Sequence, residues 1–246
     1  MTRVFALIAA VFLLGCQQAP ADAQLTDNER DEVREIVREY IISNPEIIEE
    51  ALIELQRRAR DRELRNFYTS IEDNHDAIYA DARDARIGPE DADIVIVEFV
   101  DYKCSYCRVA SEWVDSVTER YGDRVQIIFK EYPVLGADSI EAARAALAAL
   151  RQGTEVYRAF HHEMITASGP LPSGRIDSLA QMAGVDVARM REDMQDPEIM
   201  AQIGQVRSLG QVMGISGTPF FIVDGRVIPG ANELGLEQAL QAALAG

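Results

Sequence analysis

The chain has 246 residues, 48% apolar and 26% charged, the balance of a folded protein rather than a disordered one. Its formal net charge of −17 excludes a nucleic-acid binder that works through a basic face. The length allows one medium domain with a small appendage.

Arg3 and the unbroken apolar run 4–14 form a bacterial export-signal pattern, too short to span a bilayer as a helix. Two processing sites compete. Leu13-Leu14-Gly15-Cys16 has the form of a lipobox, which removes residues 1–15 and lipidates Cys16. Ala21-Asp22-Ala23 fits ordinary signal peptidase, which removes residues 1–23. The rarity of cysteine here, and its place at the one position a lipobox needs, favour lipidation. No later run reaches spanning length, so the mature chain is expected to be soluble or lipid-tethered on the periplasmic side of the bacterial envelope.

Residues 24–88 are predicted as a helical region. Thr26-Asp27-Asn28-Glu29 fits a capping box, and Val33, Ile36, Val37, Tyr40 and Ile41 follow at helical spacing. Ser43-Asn44-Pro45-Glu46 reads as a break and a new start. Ile48, Leu52 and Leu55 then mark a narrow apolar face on a second, highly charged helix extending to about residue 82. Such a face needs a cover, and copies of the same chain are the expected one, so the region is read as an oligomerisation segment.

Gly88-Pro89 marks a boundary, and residues 89–246 are predicted as a second, α/β region. Residues 94–100 read as a buried strand running into Cys104-Ser105-Tyr106-Cys107, with a helix to about residue 121. Residues 125–131 read as another strand. From about 138 to 213 the pattern is helical, with breaks at Gly153, Gly169-Pro170, Gly184 and Pro197. A hairpin around Asp224-Gly225 joins strands at 220–223 and 226–228, and a last helix covers about 232–245.

With Cys16 lipidated or discarded, Cys104 and Cys107 are the remaining thiols. An exported chain with a single C-x-x-C pair is expected to use that pair rather than be stapled by it. At a helix start, unsatisfied backbone N–H groups favour a thiolate on Cys104, so Cys104 is the expected nucleophile and Cys107 the resolving thiol. Lys103 adds a neighbouring cation. Glu98, six residues before Cys104, shares a strand face with Ile96 and Val100; a carboxyl buried there could relay protons to Cys107. Zinc is not expected: there is no second cysteine pair, and His161-His162-Glu163-Met164 is not a zincin pattern. Copper(I) on the two thiolates is an alternative. No cofactor is expected.

Residues 99–107, Phe99-Val100-Asp101-Tyr102-Lys103-Cys104-Ser105-Tyr106-Cys107, resemble the active-site segment of DsbA-like thioredoxin-fold proteins. Gly217-Thr218-Pro219-Phe220 resembles their second signature, a loop whose cis-proline faces the cysteines. The resemblance implies a thioredoxin-like fold with a helical insertion, preceded by an N-terminal α-helical segment. It also implies that Pro219 is cis and that Thr218 lines the site. Ile36-Val37-Arg38-Glu39-Tyr40 followed by Asn44-Pro45-Glu46 resembles the N-terminal part of ScsC-like proteins, in which these helices can mediate oligomerisation.

Threonine before the cis-proline is typical of DsbC-like isomerases. Ser-Tyr between the cysteines departs from the Pro-His of the DsbA oxidases and implies a less acidic Cys104 than theirs. The expected activity is therefore a protein disulfide oxidoreductase, and within that class an isomerase. Its expected partners are cysteine-containing exported proteins, a membrane redox partner and copies of itself. The alternatives are a monomeric dithiol oxidase of the DsbA type and a copper(I)-binding envelope protein.

Overall fold

A computed structural model describes residues 25–246. The export signal, both processing sites and Cys16 lie outside the described residues. The chain divides into two compact units, one ending at Ala59 and one running from Arg60 to Gly246.

In the first unit, helix α1 (Asp27–Ser43) opens with the capping box. The Glu29 carboxylate accepts from the Thr26 N–H at 2.7 Å, and the Thr26 hydroxyl accepts from the Glu29 N–H. The helix stops at Asn44, whose side-chain amide donates to the Tyr40 carbonyl at 2.8 Å. Helix α2 (Glu46–Asp73) follows Pro45. Helix α1 buries none of its residues. Val33, Ile36, Val37, Tyr40 and Ile41 on α1, and Ile48, Leu52 and Leu55 on α2, are exposed.

The second unit starts with the last turns of α2, where Phe67 and Ile71 are buried. Helix α3 (His75–Tyr79), strands β1 (Ala85–Ile87) and β2 (Ile94–Val100), helix α4 (Ser105–Tyr121) and strand β3 (Val125–Glu131) follow. The predicted helical stretch is five helices: α5 (Ala137–Leu150), α6 (Thr154–Thr166), α7 (Ser173–Met182), α8 (Val187–Asp193) and α9 (Pro197–Met213). Strands β4 (Phe220–Val223) and β5 (Arg226–Pro229) form the hairpin, and α10 (Glu233–Leu244) closes the chain. Asp224 and Gly225 both take positive φ, as a two-residue hairpin turn requires.

The five strands form one mixed sheet in the order β1-β3-β2-β4-β5, with β2 and β3 parallel and the other pairs antiparallel. Alternation along β2 divides the core. Ile96 and Val100 join the cluster built with α4, α5 and α6, while Val97 and Phe99 join Phe67, Ile71 and Ile78 on the opposite face. Each large apolar side chain buried this way contributes roughly 1.5–3 kcal/mol.

Two expectations for residues 24–88 are corrected. The second helix ends at Asp73 rather than near residue 82. The Gly88 boundary falls inside the sheet-bearing unit, because β1 pairs with β3 and the end of α2 supplies core residues. Lys130, on the opposite face of β3 from Glu131, is buried against Asp84 and the Ala77 carbonyl, which further ties this segment to the sheet.

Candidate active site

Strand β2 delivers the chain to the start of α4, and a short turn orients both cysteines. Cys104 is the N-cap of α4 in extended conformation, and its N–H donates to the Asp101 carbonyl at 2.9 Å. The Asp101 carboxylate is buried. It accepts N–H bonds from Lys103 (2.9 Å), Val134 (2.8 Å) and Leu135 (3.0 Å). The turn before Cys104 is thus tied to the loop after β3.

The Thr218–Pro219 peptide bond is cis, and the Thr218 carbonyl accepts from the Cys104 thiol at 3.1 Å. The Thr218 hydroxyl is buried without another partner and is the group of this residue able to donate to a thiolate. Cys104 and Cys107 are both free and both buried. A hydrogen bond from Cys107 is the main cause that draws Cys104 down to about 5, against the opposing effect of burial; Thr218 and the amides of Cys107 and Tyr106 add to it. Cys107 moves the other way: burial, then its bond to Cys104, then the charge of Glu98 push its thiol far up. Lys103 lies apart from this set, its ammonium 3.3 Å from Asp138.

Glu98 is buried on the face of β2 shared with Ile96 and Val100, and burial, then the charge of Glu131, raise it to about 8. Glu131 is a second buried carboxyl, also raised to about 8, chiefly by burial. Glu131 stands at the end of β3, where nothing in the local sequence marks it as buried. Its Oε1 accepts from the hydroxyls of Tyr102 (2.9 Å) and Tyr157 (3.0 Å), and Tyr102 Oη is also 2.9 Å from His161 Nδ1. Burial holds the His161 imidazole neutral, down to about 3. His162 points elsewhere, exposed beside Asp115 at 3.4 Å.

Two hollows adjoin the site. A cavity of about 530 Å³ is lined by Glu98, Ser111, Asp115, His161 and His162 among others. A groove of about 400 Å³ runs along Thr218, Pro219 and Phe220, with Leu64 and Phe67 of α2 as its other wall. Among the described residues, no group of three or more His, Cys, Asp or Glu is placed to hold a metal ion, and no helix is long and apolar enough to cross a membrane.

Comparison with known proteins converges on this geometry. The family profile Thioredoxin_4, described as thioredoxin, matches residues 81–242. The profile of the copper resistance protein ScsC N-terminal domain matches residues 29–62. A thioredoxin-like oxidoreductase from Silicibacter pomeroyi is 35% identical, with 70% of this chain and 99% of that one covered and a TM-score of 0.65. Proteus mirabilis ScsC in a transitional conformation is 30% identical over 92% of this chain and 99% of its own, with a TM-score of 0.66. The thiol-disulfide exchange protein α-DsbA2 from Wolbachia pipientis is 26% identical over 74% of this chain and 97% of its own, with a TM-score of 0.67. Among curated relatives, the Na(+)/H(+) antiporter NhaA of Herminiimonas arsenicoxydans is 30% identical over 59% of this chain. That match spans 23% of the antiporter, so the chain covers about a quarter of the curated relatives it matches.

Proposed function

The chain belongs to the thioredoxin family, and from that membership we propose a protein disulfide isomerase acting on exported proteins through Cys104 and Cys107. It is a thiol–disulfide oxidoreductase of the ScsC and DsbA type; the choice of isomerase within that class is the proposal. The observation that carries it is Thr218 before a cis-proline, its carbonyl 3.1 Å from the Cys104 thiol at the start of α4, with Cys107 buried one turn in.

In the first step the Cys104 thiolate attacks one sulfur of a substrate disulfide. The substrate S–S bond breaks, a Cys104–substrate disulfide forms, and the departing thiolate takes a proton from solvent. A different substrate thiolate can then attack the substrate sulfur of the mixed bond, which restores the Cys104 thiolate and leaves a rearranged disulfide. If no such thiolate arrives, Cys107 gives its proton to Glu98 in its ionised form and attacks the Cys104 sulfur of the mixed disulfide, whose bond to the substrate sulfur breaks. The substrate then leaves reduced, and the Cys104–Cys107 disulfide forms. Thr218 before the cis-proline, by resemblance to isomerases, and Ser105-Tyr106 between the cysteines, by departure from the Pro-His of the DsbA oxidases, support rearrangement over net oxidation. The competing reading, a monomeric DsbA-type oxidase, lacks that support.

The export signal and the periplasmic thioredoxin-like neighbour from Salmonella enterica support a place on the periplasmic side of the envelope. There a membrane redox partner would keep the pair in its working state, and Cys16 would carry the anchor. A mature chain beginning at Gln24 would exclude that anchor.

The test of the main proposal uses two variants. Cys107→Ser should accumulate mixed disulfides with exported proteins, and Cys104→Ser should trap none. The parent protein should restore activity to scrambled ribonuclease. Trapping through Cys107, or net oxidation without rearrangement, contradicts the assignment.

A further inference from the structure

Glu131 is too elaborately held to be a passive buried carboxyl. Its Oε1 takes two tyrosine hydroxyls, while its Oε2 is buried with no partner. The charge is not neutralised in the way Asp84 is neutralised by Lys130 on the opposite face of the same strand. Tyr102 has one proton and two acceptors at equal distance, Glu131 Oε1 and His161 Nδ1. If it donates to Glu131, the carboxylate is charged and accepts from both tyrosines. If it turns to His161, Glu131 can carry the proton and donate to the Tyr102 oxygen. Both protonation states are therefore hydrogen-bonded without movement of any heavy atom. A carboxyl with a purely structural role needs one state only.

The register places this group beside the redox centre. β2 and β3 run parallel with Glu98 opposite Phe129 and Val100 opposite Glu131, so the two carboxyls lie on one face of the sheet, two residues apart along it. The cavity that Glu98 lines is also lined by His161, the residue that competes with Glu131 for the Tyr102 hydroxyl.

We propose that Glu131 is a positioning residue of the redox centre, a second titrating carboxyl whose charge sets when Glu98 can accept the proton of Cys107. This rests on the proton-acceptor role proposed for Glu98. Two carboxylates buried close together cannot both ionise cheaply, so one negative charge is shared between them. A charged Glu131 makes Glu98 hold its proton, and a neutral Glu131 lets Glu98 ionise and receive the proton of Cys107. The groups acting on Glu98 from the packed elements are Cys104, Cys107, Asp115 and Glu131. Those acting on Glu131 are Glu98, since the repulsion is mutual, and Tyr102, Tyr157, Asp101 and Asp84, with His161 acting through Tyr102.

The experiment follows one step: release of a small thiol from a mixed disulfide on Cys104 by attack of Cys107, as a function of pH. Glu98→Gln should abolish the inflection assigned to the acceptor. Glu131→Gln keeps the shape and removes the charge; it should move that inflection down by about one pH unit, since a like charge has gone. The double variant should match Glu98→Gln alone, because Glu131 acts only through Glu98. An inflection unmoved in Glu131→Gln, or a double variant that departs from Glu98→Gln, overturns the role of Glu131 and leaves that of Glu98 standing. An inflection that survives Glu98→Gln overturns the acceptor role and this proposal with it. Should Glu131→Gln fail to fold, carboxyl ¹³C titration of the parent protein decides. Glu98 is expected to titrate in two steps, and a single step rejects the coupling.

Discussion

Cys104 and Cys107 stand three positions apart at one helix start, yet their surroundings favour opposite charge states. Cys104 faces donors, and burial works against them without winning; Cys107 faces burial and the Glu98 carboxyl. Alkylation of the reduced protein should therefore label Cys104 with a midpoint near pH 5 and leave Cys107 unlabelled through neutral pH. Mass mapping of the labelled peptide checks this. The same shift sets the stability of the reduced form. A cysteine that ionises near 8.5 when unfolded and near 5 when folded stabilises the folded dithiol fully above the unfolded value. That contribution is lost as pH falls through 5, at about 1.4 kcal/mol per pH unit between the two values. The denaturation midpoint of the reduced protein, measured relative to the oxidised one, should fall from pH 8 to pH 5. A flat difference would show that Cys104 is not held as a thiolate. At this scale the sequence exposes the cysteines and Glu98, because position relative to a helix start and strand alternation are local properties. Thr218 and Pro219 emerge there only by resemblance. Glu131, Asp101 and His161 acquire their surroundings from partners on separate elements, and no local pattern marks them.

The elements that carry the site are held by contacts a few residues long. The strands and the five-helix stretch are readable from periodicity and glycine breaks, because β2 is apolar except at Glu98, β3 carries the apolar run 127–129, and the helices have the 3.6-residue repeat. β1 is not readable: three residues are too few for alternation to register, and its place in the sheet comes from its pairing with β3. The turn after β1 shows how tightly that pairing is made. Gly88 has φ of +105°, and a Cβ there would lie 2.2 Å from the Val125 carbonyl oxygen. Neither the backbone conformation nor the space admits a side chain. Gly88→Ala should cost at least about 2 kcal/mol, as expected where strain and steric overlap combine. Chemical denaturation checks it, and a loss under about 0.5 kcal/mol would mean the turn relaxes freely. The redox chemistry of Cys104 in the surviving folded fraction should be unchanged, since Gly88 lies outside the active-site turn.

At the scale of the whole chain, the useful question is where the catalytic unit begins. The Gly88-Pro89 turn signal places the boundary there, but a cut at that point would delete β1, the buried Phe67, Ile71 and Ile78, and Asp84, the partner of the buried Lys130. Removing one member of a buried ion pair costs about 3–5 kcal/mol by itself, and the lost apolar burial adds to it. A fragment starting at Gly88 should therefore be unfolded or insoluble. A fragment starting at Arg60 retains every one of those residues and should fold. What it loses is α1 and the first turns of α2, with the exposed face of Val33, Ile36, Val37, Tyr40, Ile48, Leu52 and Leu55. A face of that kind is stable when it is covered, and we propose a second copy of the chain as its cover. Several Cys104 sites around a shared space can hold a scrambled substrate through successive attacks, whereas a single site oxidises or reduces it and lets go. The 60–246 fragment should thus be a monomer that reduces small disulfides through Cys104 as well as the full chain does, and it should lose most of its activity on scrambled ribonuclease. Light scattering and the refolding assay, run on both forms, decide the matter. A full-length protein that is already monomeric at micromolar concentration rejects the link between assembly and isomerisation, and so does a fragment that refolds the scrambled substrate equally well.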